Sequence, residues 1–241
     1  MNRSFLFELC ADSLEAAKAG QAGGADRMEL CEELSISGIT PSMELLTAVL
    51  SAVTVPVHVL VRPRGGDFVY SRTEFGLMRR EIAAAKSAGA AGVAIGVLQA
   101  DGRVDVQRTR ELVELARPMY ATFHRAFDEV AKAGYGLEEA LEDVIRTGVD
   151  CLLTSGGAPN VLEGAEQIGR LQEQAGDRLE VMAGGGLKLA NLVEVVQISG
   201  VTCLHGSLSR KTPALNLRSQ LEADLREAKR LLQQECLEPA G

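Results

Sequence analysis

Residues 22–31 read AGGADRMELC, in which small residues and glycines end a helical stretch and a short strand-like run follows at once. A glycine in that place is typical of a helix C-cap, because the left-handed backbone costs little without a Cβ. The same order of helix, glycine and strand returns at Ala88–Gly92 and at Thr147–Asp150. Strand and helix that alternate in this way predict right-handed βαβ units and a parallel sheet.

Eight short, mostly apolar runs along the chain are candidate strands: Phe5–Leu9, Arg27–Cys31, Val57–Val61, Gly92–Val97, Tyr120–His124, Cys151–Thr154, Glu180–Ala183 and Thr202–His205. Eight helical stretches, most with apolar residues at the 3.6-residue period, separate and follow them: Ser13–Ala19, Ser42–Ser51, Arg72–Ala88, Val106–Ala116, Gly136–Thr147, Ala165–Ala175, Ala190–Ser199 and Leu215–Gln234. Eight such units predict one α/β domain over residues 1–241, a single parallel eight-stranded (β/α)8 TIM-type barrel whose last helix spans about 215–234.

An open doubly wound sheet also alternates strand and helix, and it is the competing architecture. Its dinucleotide-binding form carries GxGxxG after the first strand. In this chain the first strand is followed by ADSLE at residues 11–15. The sequence therefore indicates no nucleotide cofactor.

Composition narrows the class of function. Lys and Arg number 25 against 33 Asp and Glu, and the resulting net charge of −8 argues against nucleic acid as a partner. No apolar run approaches the ~20 residues of a membrane span, and the N-terminus lacks the features of a signal peptide. The five cysteines are widely spaced with no CxxC pair, so reduced thiols and a cytoplasmic location are expected.

Polar residues concentrate where the predicted strands end, which is where the active sites of these barrels lie. The candidates for catalysis are Glu8, Glu29, Arg62, His124 and Asp128, in which histidine or a carboxylate would move a proton while arginine holds an oxyanion. The alternative is an ion-pair belt that closes the top of the barrel without any ligand.

Glycine-rich turns follow the last three strands and suit an anion, because bare backbone N–H groups can converge on it. Together with a loop arginine after the third strand, these turns make the predicted anion-binding set: Arg64, Ser155, Gly156, Gly157, Gly184, Gly185, Gly186, His205, Gly206 and Ser207. For the run of three glycines, a simple tight turn between strand and helix is the other interpretation.

Two thiols occupy equivalent positions on neighbouring strands. Cys10 and Cys31 could approach one another there and bind a soft ion such as Cu(I). Ordinary buried thiols are the alternative, since unreactive cysteine is among the most buried residue types. His58 lies in the middle of a strand and is predicted to be a packed or paired core residue.

Several long phrases in the chain resemble the CutC family of copper homeostasis proteins. They include FELC at 7–10, GADRMELC at 24–31, RPRGGDF at 62–68 and FHRAFD at 123–128, and the resemblance runs from residue 7 to about 207. It implies a TIM-type barrel, a cytoplasmic homodimer, a role in copper homeostasis, and Cu(I) ligands at Cys10 and Cys31. After Ser207 the chain departs from the family pattern, since relatives often carry a longer tail.

Three hypotheses remain open at this point. The first is a copper-binding or copper-handling protein. The second is a barrel enzyme of lyase or isomerase type, which acts on a small phosphorylated or carboxylated substrate at the mouth of the barrel. The third is a purely structural or partner-binding barrel, which would bind neither metal nor small ligand tightly.

Overall fold

Eight parallel strands close into a barrel in the order of the chain, as the alternation of elements predicts. The computed structural model describes residues 4–208 and 217–235. The strands are β1 (Leu6–Ala11), β2 (Arg27–Leu30), β3 (Val57–Leu60), β4 (Gly92–Ile95), β5 (Tyr120–Phe123), β6 (Cys151–Thr154), β7 (Glu180–Gly184) and β8 (Cys203–Gly206). The (β/α)8 fold class is confirmed, while the domain bounds of 1–241 stay a prediction.

Helices surround the barrel and connect its strands. They are α1 (Leu14–Gly23), α2 (Met43–Ala52), α3 (Arg72–Ala88), α4 (Val106–Ala116), α5 (Ala126–Lys132), α6 (Leu137–Thr147), α7 (Ala165–Ala175), α8 (Leu189–Ser199) and α9 (Leu217–Glu235). Short 3-10 turns lie at Leu34–Ile36 and Gly176–Arg178. The predicted last helix matches α9, and its first two residues, 215 and 216, lie outside the described part. Helix α5 was not predicted, because it has only two turns and no side-chain cap hydrogen bond.

The repeated glycines cap helices as the sequence predicts. Gly24, Gly89 and Gly148 follow α1, α3 and α6 with φ of +88°, +92° and +81°. Each donates its backbone N–H to a carbonyl in the last turn of its helix. These carbonyls have no hydrogen-bond donor within the helix itself, so the glycine supplies one. These glycines belong to the scaffold and lie outside the site.

The apolar core has an outer and an inner part. The outer part lies between barrel and helices and includes Phe7, Met28 and Phe123. The inner part consists of two smaller clusters inside the barrel: Cys10, Cys31, Leu60 and Ala94 in one, and Cys151, Leu153, Met182 and Cys203 in the other. None of the helices within residues 4–208 and 217–235 has the length and apolarity needed to cross a membrane.

Strand β4 and the residue just after it present almost no side chain to the barrel interior, and rings from the two neighbouring strands use that space. A Cβ on Gly92 would lie 2.5 Å from Cδ2 of His58, which projects from β3. A Cβ on Gly96 would lie 2.6 Å from the ring of His124, which follows β5. Glycine is therefore required at both positions by the close approach of an imidazole.

Candidate functional site

A cavity of about 1370 Å³ opens at the carboxyl ends of the strands. Of the predicted site residues, its walls contain Cys10, Glu29, Arg62, His124, Gly185, Gly186, His205, Gly206 and Ser207. The remaining predicted residues stand behind or beside it: Glu8, Cys31, Arg64, Asp128, Ser155, Gly156, Gly157 and Gly184. The structure thus brings about half of the predicted set to one mouth.

Glu8 is the centre of a buried charge network beneath the cavity. Strand register places it opposite Arg27 on β2 and His205 on β8. Arg27 Nε donates to Glu8 Oε2 at 2.5 Å, the Nδ1 of His205 lies 2.8 Å from Oε1, and that of His58 lies 3.6 Å from Oε2. Burial by itself would raise the pKa of Glu8, but the hydrogen bond and charge of His205, with Arg27 and His58, lower it to about 2. Glu8 is therefore an anion held by cations.

Glu29 and His205 form a second carboxyl–imidazole pair, directly in the cavity wall. The Oε1 of Glu29 lies 3.9 Å from His205 Nε2 and 3.9 Å from the Sγ of Cys10. Burial raises the pKa of Glu29 to about 7, with the charge of His205 opposing and that of Glu8 adding. Burial disfavours the charged ring of His205, yet the two carboxylates and Cys10 raise its pKa well above the usual value. Glu29 can thus exchange a proton near neutral pH or offer an oxygen to a metal ion.

The two predicted thiols meet at the floor of the cavity. The Sγ atoms of Cys10 and Cys31 are 3.8 Å apart, and both side chains are buried against Leu60 and Ala94. The hydrogen bond with Cys31 and burial together raise the pKa of the Cys10 thiol well above its usual value. One ligand atom each from Cys10, Glu29 and His205 lie within 4.8 Å of one another.

Arg62 and His124 lie in the wall formed by the segments that follow β3 and β5. The Nη atoms of Arg62 donate to the carbonyls of Ile36, Gly38 and Gly66, at 2.8–3.0 Å, and so hold two loops together. His124 accepts the backbone N–H of Ala126 on Nδ1 at 3.2 Å. Burial and the charge of Arg62 lower the pKa of His124 to about 3, so this ring is neutral at physiological pH.

Asp128 organises the glycine turn after β6. Its carboxylate accepts the hydroxyl of Thr154 at 2.5 Å and the backbone N–H groups of Ser155 and Gly157 at 3.0 and 3.1 Å. Gly156 donates to the Thr154 hydroxyl instead, and Arg125 completes the shell with a 2.7 Å contact to the carboxylate. The predicted residues Asp128, Ser155, Gly156 and Gly157 do come together, but their groups bind one another and leave the turn closed on itself.

Arg64 and the run of three glycines, Gly184–Gly186, lie in different places in the structure. Arg64 is partly exposed and pairs with Glu74 at 2.6 Å and Asp67 at 2.9 Å, outside the cavity wall. A Cβ on Gly185, whose φ is +99°, would lie 2.7 Å from Cζ of Arg125, so the glycine lets this guanidinium lie flat against the turn. Gly185, Gly186 and Arg125 form one patch of the cavity wall.

Two arginines of the site were absent from the predicted set. Arg27, which neutralises Glu8, stands two residues before Glu29 and therefore on the same face of β2, a signal that the sequence contains. Arg125, in the cavity wall beside Gly185, follows His124 directly. Its role depends on the path of the β7 turn, which no local pattern reveals.

Known proteins resemble this chain over most of its length. The model of the CutC family matches residues 5–210. A CutC family protein from Chromobacterium violaceum is 46% identical over 202 residues, with 84% of this chain and 80% of the relative covered. A human protein named copper homeostasis protein cutC homolog is 45% identical over 203 residues, with 84% of this chain and 73% of the relative covered.

A solved CutC structure from Streptococcus agalactiae superposes with a TM-score of 0.79 at 28% identity, with 85% of this chain and 99% of that chain covered. The family match takes in every strand of the barrel and the residues of the cavity floor. The chain belongs to the CutC family.

Proposed function

We propose that this chain binds Cu(I) at Cys10 and Cys31 and serves in copper homeostasis. The observation that carries the proposal is the 3.8 Å separation of the two sulfur atoms at the cavity floor. It is short enough for both to bind one ion at the roughly 2.3 Å of a metal–thiolate bond. The name of the human relative, which refers to copper homeostasis, supports the same role.

The donors around the thiols suit a soft monovalent ion. Thiolates select Cu(I), and imidazole suits copper as well. The Nδ1 of His205 faces Glu8, so Nε2 is the nitrogen left on the side of Glu29 and Cys10. A carboxylate that fixes the orientation of a histidine in this way is typical of metal sites. Glu29 would supply a third ligand atom as a carboxylate, and Nε2 of His205 would do so after loss of its proton.

An ion that enters the cavity reaches the thiols from the side of Cys10. Cys10 lies in the cavity wall with 7% of its surface exposed, whereas Cys31 is fully covered. Both thiols must release a proton to bind the ion, so binding should release protons to the buffer. The ion would therefore meet Cys10 first and Cys31 second.

The test is a Cu(I) titration against a competing chelator, under reducing and oxygen-free conditions. The double variant Cys10→Ser/Cys31→Ser should lose at least a hundredfold in affinity, because no thiolate remains at the floor. Cys151→Ser is the matched control, since Cys151 is equally buried in the other cluster inside the barrel. Equal affinity of wild type and double variant, or an equal loss in the control, would contradict the proposal.

We also propose that the protein works in the cytoplasm as a homodimer, as the family resemblance implies. Light scattering of the purified chain should give twice the mass of one copy, and a monomer at all concentrations would exclude the dimer. Cell fractionation tests the location.

The names of the three relatives quoted above specify no enzymatic reaction, so they lend no support to the lyase or isomerase alternative.

A further inference from the structure

Two buried hydrogen-bond donors in the cavity wall make no hydrogen bond in the part of the chain that the structure describes. The Nε of Arg62 and the Nε2 of His124 are both covered from solvent and make no hydrogen bond within the described ranges. Both residues are only 4% exposed, and both line the cavity. Buried polar groups are nearly always hydrogen-bonded in folded proteins, so two unmatched donors in one wall need an explanation.

The charge of Arg62 is uncompensated as well. Its Nη atoms bind only neutral carbonyls, and no carboxylate lies within 4.0 Å of it among residues 4–208 and 217–235. Arg27, the other buried arginine of the barrel, is paired with Glu8. A buried charge without a counter-ion is strongly unfavourable. An anion seated at Arg62 would remove this penalty.

The tautomer of His124 provides the second donor, and the charge of Arg62 is near enough to lower the pKa of this ring. Because Nδ1 accepts the N–H of Ala126, the proton of the neutral ring is on Nε2. His124 is therefore a neutral donor beside a cationic one. This combination suits an oxyanion, which accepts from both donors and balances the charge of Arg62.

An aromatic ring covers the pair in this conformation. Phe68 lies in the loop between β3 and α3, with its ring centre 4.8 Å from Cζ of Arg62 and 5.0 Å from the ring centre of His124. It is half-buried and itself lines the cavity, so an anion that reaches both donors would have to displace this ring. The buried hydroxyl of Tyr70 lies beside Arg62, and it is the internal group that competes with a ligand for this guanidinium.

We propose that Arg62 and His124 form an anion-binding subsite of the cavity, in which Arg62 Nε–H and His124 Nε2–H donate to one carboxylate or phosphate group of a small organic molecule. The cavity, at about 1370 Å³, has room for the rest of that molecule. The subsite uses neither thiol, so it goes beyond copper binding and stands independently of it.

Isothermal titration calorimetry on reduced, metal-free protein tests the subsite, with inorganic phosphate, glycerol phosphate and pyruvate as probes. Arg62→Gln and His124→Phe should each weaken the binding of the preferred probe at least tenfold. Arg108→Gln is the matched control. Arg108 also donates to loop carbonyls, those of Tyr70 and Ser71, and also lies over a phenylalanine, but it does not line the cavity. Tyr70→Phe removes the internal competitor and should leave binding unchanged or tighter.

Nitrogen-15 NMR of the His124 ring gives a second readout that needs no variant. Addition of the preferred probe should move the Nε2 signal and leave Nδ1 in place. Selective binding of the phosphates or of pyruvate identifies which group the subsite takes. The subsite is refuted if every probe has a Kd above about 10 mM. It is also refuted if both variants bind the preferred probe as tightly as wild type. Because copper is absent throughout, this result does not depend on the copper titration.

Discussion

Replacement of Glu8 by glutamine should destabilise the fold by about 3 to 5 kcal/mol at pH 7. The carboxylate is 1% exposed and faces Arg27, His205 and His58. Its pKa falls from 4.5 to about 2 on folding, which corresponds to about 3 kcal/mol at neutral pH. Loss of one partner from a buried ion pair typically costs a similar amount, because the other charge stays buried.

Urea unfolding of Glu8→Gln and wild type at pH 7 measures this difference. Because the folded pKa is lowered, the contribution of Glu8 is complete above pH 4.5 and disappears as the pH falls toward 2, so the two proteins should converge in acid. Arg27→Met added to Glu8→Gln should cost less than the sum of the two single changes, since it removes the stranded charge.

Glu142→Gln is the matched control for this prediction. Folding also lowers the pKa of Glu142 to about 2, through its hydrogen bonds with Arg178 and Gln174, but the side chain is exposed and water screens the pair. Its replacement should therefore cost far less than that of Glu8. If the two variants lose the same stability, or if Glu8→Gln unfolds at the wild-type urea concentration, the inferred role of the buried network is wrong.

Three further predictions concern the groups around the cavity. The contribution of His124 to stability should fall as the pH drops below 6.5, because its folded pKa is about 3 and the unfolded chain takes up the proton first; the stability of His124→Phe should therefore drop by about 2 kcal/mol less than that of wild type between pH 7 and 5 in urea unfolding, and parallel curves would contradict this. Asp128→Asn should cost about 2 to 4 kcal/mol and speed amide exchange at Ser155 and Gly157, effects that the exposed Glu129→Gln should not reproduce. Gly164→Ala should lower Tm by roughly 5 °C or more, because its Cβ would lie 1.9 Å from the carbonyl oxygen of Ser155, whereas Gly136→Ala has open space and should fold normally.

The barrel and its inward-facing residues could be predicted from the sequence, because strands have a strict period of two. Alternation along β1 and β2 correctly places Glu8 with Cys10 and Glu29 with Cys31 inside the barrel. His205 joins them only because β8 pairs with β1, which follows once closure is assumed. The cavity floor is therefore the most predictable part of the site.

Prediction fails where the strands end. Strand β3 ends at Leu60, so the period of two no longer relates Arg62 to Arg64, and Arg64 turns toward Glu74. Helix α5 begins at Ala126, so Asp128 follows helical geometry and meets the β6 turn. These positions depend on loop paths that local pattern does not encode.

The two glycines in and just after β4, Gly92 and Gly96, constrain how this barrel can change over time. The imidazoles of His58 and His124 occupy the volume that side chains at positions 92 and 96 would fill. A larger residue at either glycine is therefore tolerable only if the facing histidine has already become smaller. We therefore expect residues 58 and 92, and likewise residues 96 and 124, to change together in evolution. A change of one residue of a pair alone should give a poorly folded protein.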